Sequence, residues 1–418
     1  MRVMNYEMLC GQSILLLGKT RALNLAEFDT LLKLHKIERI DSYKDEIALI
    51  IEGRMMNPYE EGESLRLYEM QKIPIVSLEG VEKWLCQSIE PDRLLMSLKL
   101  SRNQERLVNF LQNPYITDEL FFKLLKLYDW QGEGLFDNDT NRDVTAAIIG
   151  RFYVDLDRNH NVQYAMSGMA HLIERYGNRD LINTIAELTP IAKELKNPTD
   201  RSLIGVLDAL ALHSDTDKTI LAQLINTRAE LLAHREPLTL ESELLSLENE
   251  AVNRVLSLNK TLSPKGADTL EKSYPQLIAG NIYLSDERFD RLIEGYARYL
   301  ATNFTLTTVM QNHLSTCVDE EVLQALASNR VTEPTLLNQF FESGRFKAAL
   351  ASNPSLPSDK LEMLYASGES EVLSALARNI ATPVEILYQL SLDQRFERLV
   401  KTNPTFGKHI QTHNIGWL

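Results

Sequence analysis

NPSLPSDKLEMLYASGESEVLSALAR (residues 353–378) runs directly into NIATPVEILYQLSLDQRFERLVKT (residues 379–402). Each stretch opens on an asparagine turn, passes a Ser, Thr or Pro signal, and enters an apolar pattern at helical spacing. Leu361 and Leu364 carry that pattern in the first stretch, and Ile386, Leu387 and Leu390 in the second. A polar or glycine break follows, then a second short helical pattern. Thr382-Pro383 and Ser263-Pro264 set a capping hydroxyl just before a proline. Proline is tolerated there because the first helical N–H has no intrahelical partner. A unit of about 24 residues holds two short helices, neither of which can bury its apolar face alone, so units must stack.

Outward from this stretch the same asparagine recurs at Asn259, Asn281, Asn303, Asn329, Asn353, Asn379 and Asn403, in steps of 22, 22, 26, 24, 26 and 24 residues. Three residues before each stands an apolar one: Leu256, Ile278, Leu300, Leu326, Leu350, Leu376 and Val400. A period in the twenties over seven units predicts a stacked-repeat array, which works by presenting a long surface rather than one catalytic pocket. Asparagine tolerates left-handed backbone and bonds to nearby main chain, so the seven are read as one turn built many times. A row of asparagines facing a ligand has no separate support.

The phase extends upstream. Phe110 precedes Asn113-Pro114, with Thr117, Leu120, Phe121, Leu124 and Leu125 after it. His213 takes the asparagine place between Leu210 and Thr216, and His234 does likewise between Leu231 and Pro237. Residues 130–210 diverge, and an insertion or an irregular helical segment fits them equally.

The pattern L-A-x-N-x-x-[TP]-x-x-x-x-L-L, carried by Leu326-Ala327-Ser328-Asn329, Leu350-Ala351-Ser352-Asn353-Pro354 and Leu376-Ala377-Arg378-Asn379, resembles the variant leucine-rich repeat of bacterial proteins. The resemblance implies a right-handed superhelix of alternating α and 3-10 helices. Some members of that family carry an N-terminal iron–sulfur cluster. Cys10, Cys86 and Cys317 are too few and too scattered to supply four thiolates here.

The first ninety residues alternate differently. Ile14 to Gly18, Arg39 to Tyr43, Ile47 to Ile51 and Ile73 to Val76 read as strands, and Asn24 to Ile37, Glu61 to Gln71 and Leu78 to Ile89 as helices. The order β-α-β-β-α-β-α predicts a small parallel sheet with helices on both faces. This order and the closing segment IPIVSLEGVEKWLCQSI, with Ile75-Val76-Ser77 and Trp84-Leu85, resemble a BRCT domain. A flavodoxin-like receiver fragment is the alternative. Some BRCT domains bind phosphopeptides, and the matching positions here are Gly18, Thr20 and Arg66. Charge-assisted hydrogen bonds would hold a phosphate there. The plainer reading is a strand-ending glycine and a solvated arginine.

Other signals fail on spacing. Gly18-Lys19-Thr20 lacks the P-loop glycine five residues earlier, where Ser13 stands in a strand. The clusters 137–141 and 155–161 echo a calcium loop, but Arg142 and His160 occupy the sixth position and Ile148 and Met166 the twelfth. His409 and His413 have the spacing of two ligands on one helix face, without a third nearby. Lys99, Arg102 and Arg106 read as a charged linker helix. No cofactor or metal is expected.

The 418 residues carry a formal charge of −14 and a pI near 5.2, which opposes non-specific DNA binding. No segment has membrane-spanning length, no signal-peptide apolar region opens the chain, and three unpaired cysteines fit a reducing compartment, so a cytoplasmic location is expected. The expected architecture is mainly α: a right-handed α-helical repeat solenoid (α/3-10 units) preceded by a small α/β BRCT-like domain. Its divisions are residues 1–92, a divergent helical region 93–250 with cryptic repeats, and repeats 251–418. The expected function is that of a non-enzymatic adaptor for a protein partner, with a phosphopeptide as a second candidate ligand. The rivals are a nucleic-acid-binding protein of DNA repair or replication, and an enzyme built on Asp137, Asp139, Asp155 or Asp157.

Overall fold

A computed structural model describes residues 6–44, 46–130, 134–156 and 161–413. The chain is mainly helical, with one four-stranded parallel sheet near its start. It divides into two compact units, Met1–Thr227 and Arg228–Leu418.

In the first unit, β1 (Ser13–Leu17), β2 (Glu38–Ile40), β3 (Ile47–Glu52) and β4 (Ile75–Ser77) pair in the order β2-β1-β3-β4, all parallel. Leu15 lies opposite both Ile40 and Ile50, and Ile50 opposite Ile75. Ile14 to Leu17 and Leu49 to Ile51 are unbroken buried runs, as strands covered on both faces require. The helix α1 (Leu25–Leu34) starts where Asn24 Oδ1 accepts from Glu27 N at 2.8 Å. A capping box between Asn57 and Glu60, with Pro58 behind it, starts α2 (Pro58–Met70). Phe28 and Leu32 of α1 are buried, as are Val81 and Leu85 of α3 (Leu78–Gln87), and the two helices pack together.

The sheet domain and the helices after it are joined by asparagine chemistry. Buried Asn113 donates from Nδ2 to Ala22 O at 2.9 Å and to Cys86 Sγ at 3.3 Å, while its Oδ1 accepts from Tyr115 N at 2.9 Å. Arg106 adds an ion pair with Glu27. These ties explain why residues on both sides of position 92 belong to one compact unit. The stretch the sequence leaves open holds helices at Asp139–Phe152, Met166–Tyr176, Arg179–Glu187, Thr189–Lys196 and Ile204–Leu212.

In the second unit short helices alternate. Glu320–Ser328, Lys347–Ser352, Ser370–Arg378 and Gln394–Lys401 pack in succession, each joined to the next through another helix: Pro334–Glu342, Ser358–Ala366 and Val384–Ser391. Leu326, Leu350, Leu376 and Val400 are buried together in one core. Left-handed backbone between paired helices falls at Gly344 (φ 70°), Phe346 (φ 56°) and Gly368 (φ 67°).

The asparagines are not left-handed. Asn329, Asn353, Asn379 and Asn403 have φ between −79° and −72° and ψ between 117° and 126°, which is extended backbone. What selects asparagine is its side chain. Asn353 Nδ2 donates to Ala327 O (2.9 Å) and Asn329 O (2.8 Å) of the preceding unit, and Oδ1 accepts from Ser355 N (2.8 Å) in its own turn. Asn329, Asn379 and Asn403 repeat this pattern on Ala301 and Asn303, on Ala351 and Asn353, and on Ala377 and Asn379. Each side chain therefore links the helix end behind it to its own turn, and only an amide carries two donors and an acceptor in this geometry. Thr332 and Thr382 close the turn by donating to Leu326 O and Leu376 O. The alanine two before each asparagine is fully buried at Ala327, Ala351 and Ala377.

Two positions depart from the sequence register. Asn281 ends the helix Pro275–Asn281 as one extra helical residue and donates to Leu277 O of that helix. Asn303 accordingly reaches Ala279 O and Ile282 O. Asn259 reaches Ala233 O and Arg235 O, so Arg235, not His234, holds the asparagine place, after Leu232-Ala233. His213 does stand in phase: its Nδ1 meets Asp215 N at 3.1 Å, and Thr216 donates to Leu210 O.

Candidate interaction surfaces

Of Gly18, Thr20 and Arg66, the first and last already have partners within the protein. Gly18 N already donates to Glu60 Oε1 at 3.1 Å. Gly18 has φ 81°, and a Cβ there would lie 2.7 Å from Arg54 O, which accounts for glycine at this close approach. Thr20 is half-buried in the loop after β1. Arg66, on α2, pairs with Glu63 of the same helix and lies over the Tyr43 ring.

The loop that follows is an amide nest, a form that suits anions. It is filled from within. Arg21 N, Ala22 N and Leu23 N all donate to Glu82 Oε1, at 2.9, 2.9 and 3.2 Å. Glu82 is 0% exposed, and its Oε2 has no hydrogen-bond partner. The carboxylate thus holds the loop against α3, beside the Ala22 carbonyl that Asn113 takes. Sequence spacing had no way to show this, because the partners lie about sixty positions away. The available signal was an acidic residue between the core positions Val81 and Leu85.

Cys86, next to Asn113, is buried, and that burial pushes its thiol up to about 11 against the opposing Asn113 hydrogen bond. Cys10 is exposed. With an aromatic disulfide reagent near pH ~8, Cys10 is expected to react at once and Cys86 only as the chain unfolds, since thiolate is the attacking species. Counting released thiol against time, with and without denaturant, checks this. A fast Cys86 would mean that the Asn113 junction opens in the native state.

In the second unit an open groove of about 410 Å³ runs over Glu320–Ser328, Lys347–Ser352 and Ser370–Arg378. Ala348, Ala349, Ser352, Ser374 and Ala375 form its low floor. Gln324, Glu371 and Arg378 bring polar side-chain ends to it that have no partner among the described residues. Arg378 and Glu371 oppose in sign, so the groove is not a basic stripe.

The acidic clusters are engaged in local structure. Asp137 accepts from Gly134 N at 2.6 Å, Asp139 pairs with Arg142, and Asp155 accepts from Tyr176 Oη. Asp157, Asn159 and His160 lie outside the described residues. His409 and His413 stack at 4.2 Å, with Tyr388 against His409. Among the described residues no group of three or more His, Cys, Asp or Glu is placed to hold a metal, and no helix is long and apolar enough to cross a membrane. Of the linker cations, Arg106 is committed to Glu27 and Ser97. Comparisons with protein-family models, curated proteins and solved structures return no match to this chain.

Proposed function

We propose that the protein is a non-enzymatic adaptor. In this reading the C-terminal helices act as a solenoid of the variant leucine-rich type, and residues 1–92 as a BRCT-like contact domain. The groove over Ala348, Ser352 and Ser374 is where an extended segment of a protein partner lies. The observation that carries the reading is the register of that groove. Asparagine bonds of one geometry fix successive helices at one spacing, so Ala349 and Ala375, each four before its asparagine, and Ala348 and Ser374, each five before, line the groove at matching places. Small residues let a partner backbone come close, and Gln324, Glu371 and Arg378 supply polar ends to orient it. Repeat arrays use their surfaces in this way.

Ser352 is exposed, so Ser352→Trp fills the groove without entering the core. Partner capture on the full chain, with and without nuclease, is expected to retain a protein on the wild type after nuclease and to lose about tenfold of it on Ser352→Trp, with the melting temperature unchanged. Equal capture by both chains would take the groove out of the account. Capture abolished by nuclease would favour the nucleic-acid rival.

A further inference from the structure

Parallel sheets meet their ligands outside the carboxyl ends of the strands. Here β1 and β3 run on into Lys19 and Arg54, which face each other in an antiparallel bridge. Lys19 N donates to Arg54 O at 2.6 Å and Arg54 N to Lys19 O at 2.8 Å. Both residues are exposed, as is Arg21 two positions on. Like charges directly opposite one another repel. No carboxylate among the described residues pairs with Lys19, Arg21 or Arg54.

The chain has 58 carboxylates against 44 cations. Several arginines of the same unit are paired, Arg39 with Asp29 and Asp41, Arg66 with Glu63, Arg106 with Glu27, and Arg151 with Asp118, whereas Arg93, Arg102, Arg175 and Arg201, like Arg21 and Arg54, are not paired among the described residues. Tyr115 lies in the field of Glu79, Arg21, Glu82 and Arg54 together. Glu60 and Glu82 already hold the amides of Gly18 and of residues 21–23, so an incoming anion would be held mainly by side chains.

We propose that Lys19, Arg21 and Arg54 form a docking patch for an acidic peptide segment of a protein partner, its carboxylates bridging the Lys19–Arg54 pair. Arginine forks match carboxylates, and bridging anions relieve the repulsion. Three cations neutralise only a short run of charge, and a net charge of −14 repels a long polyanion, so an acidic peptide fits better than a nucleic acid. The patch belongs to the first unit and the groove to the second, and the proposal does not depend on the groove.

The test uses the full chain and a fluorescein-labelled oligoglutamate peptide, followed by anisotropy. Oligoglutamate is expected to bind and oligoglutamine not to. The double variant Lys19→Ala/Arg54→Ala should weaken binding at least about tenfold. Salt raised from about 0.05 to about 0.3 M should weaken it as well. The double variant should melt no lower than wild type, which shows that it folds. Absent binding, equal binding of oligoglutamine, or binding undiminished in the variant overturns the proposal. So does a DNA duplex that binds through the same residues where oligoglutamate does not. Failure here leaves the result for Ser352→Trp standing, so the two readings fail separately.

Discussion

Replacing Asn353 by alanine is expected to destabilise the second unit by about 3 kcal/mol, whereas replacing Asn281 should cost less than about 1 kcal/mol. Both residues fit the same sequence pattern. Asn353 is fully buried and satisfies two carbonyls of the preceding unit and one amide of its own turn. Alanine would leave the buried Ala327 carbonyl and Ser355 N without these partners and leave Asn329 O with Thr332 N alone. Asn281 bonds only to Leu277 O in its own helix, where it is half-buried. Urea unfolding of the two variants compares them directly. Short stacked helices can open locally, so amide exchange at Ser355 N adds a local reading. Equal losses in the two variants would remove the link between units from the account.

The second large effect lies in the sheet domain. Glu82→Ala is expected to cost about 3 kcal/mol, because three loop amides lose one charged acceptor at once. Glu82→Gln keeps an acceptor oxygen and should lose roughly half as much, since charge assistance about doubles such bonds. Thermal melts of both variants test the order. A midpoint in Glu82→Ala equal to that of the wild type would mean that the loop does not rely on the nest. The same loop carries the Ala22 carbonyl bonded by Asn113, so loosening it should also raise the reactivity of Cys86.

Periodicity made much of the fold legible. The runs at 14–18 and 47–51 become the two central strands, since a parallel strand buried on both faces leaves an unbroken apolar run. The spacing of the asparagines marked the turns, because one packed geometry recurs. Three things were hidden. Asn281 looks in phase, yet one extra helical residue hands its place to Ile282, and no residue type signals that slip. Arg235 was passed over for His234 because the polar residue was sought three after Leu231. The Leu-Ala pair that touches the next asparagine is Leu232-Ala233. The backbone reason for asparagine was misplaced: left-handed backbone between helices falls at Gly344, Phe346 and Gly368, and asparagine is chosen for its donors and acceptor.

The site was less legible than the fold. Of the candidate phosphate contacts, the Gly18 amide is held by Glu60 and the Arg66 guanidinium by Glu63, while Glu82 fills the amide nest that follows Thr20. The Glu60 and Glu82 bonds reach across 42 and 60 positions and leave no mark in local spacing. The opposed pair Lys19 and Arg54 likewise became visible only once the ends of β1 and β3 were brought together.

The most direct test of the adaptor reading is photo-crosslinking from the groove. Benzoylphenylalanine placed at Ser352 of the full chain, and as a control at the exposed Val309, is irradiated in cells. A discrete protein adduct from position 352, absent from 309 and resistant to nuclease, is the predicted result. Equal adducts from both positions, or none from 352, would contradict a partner in the groove.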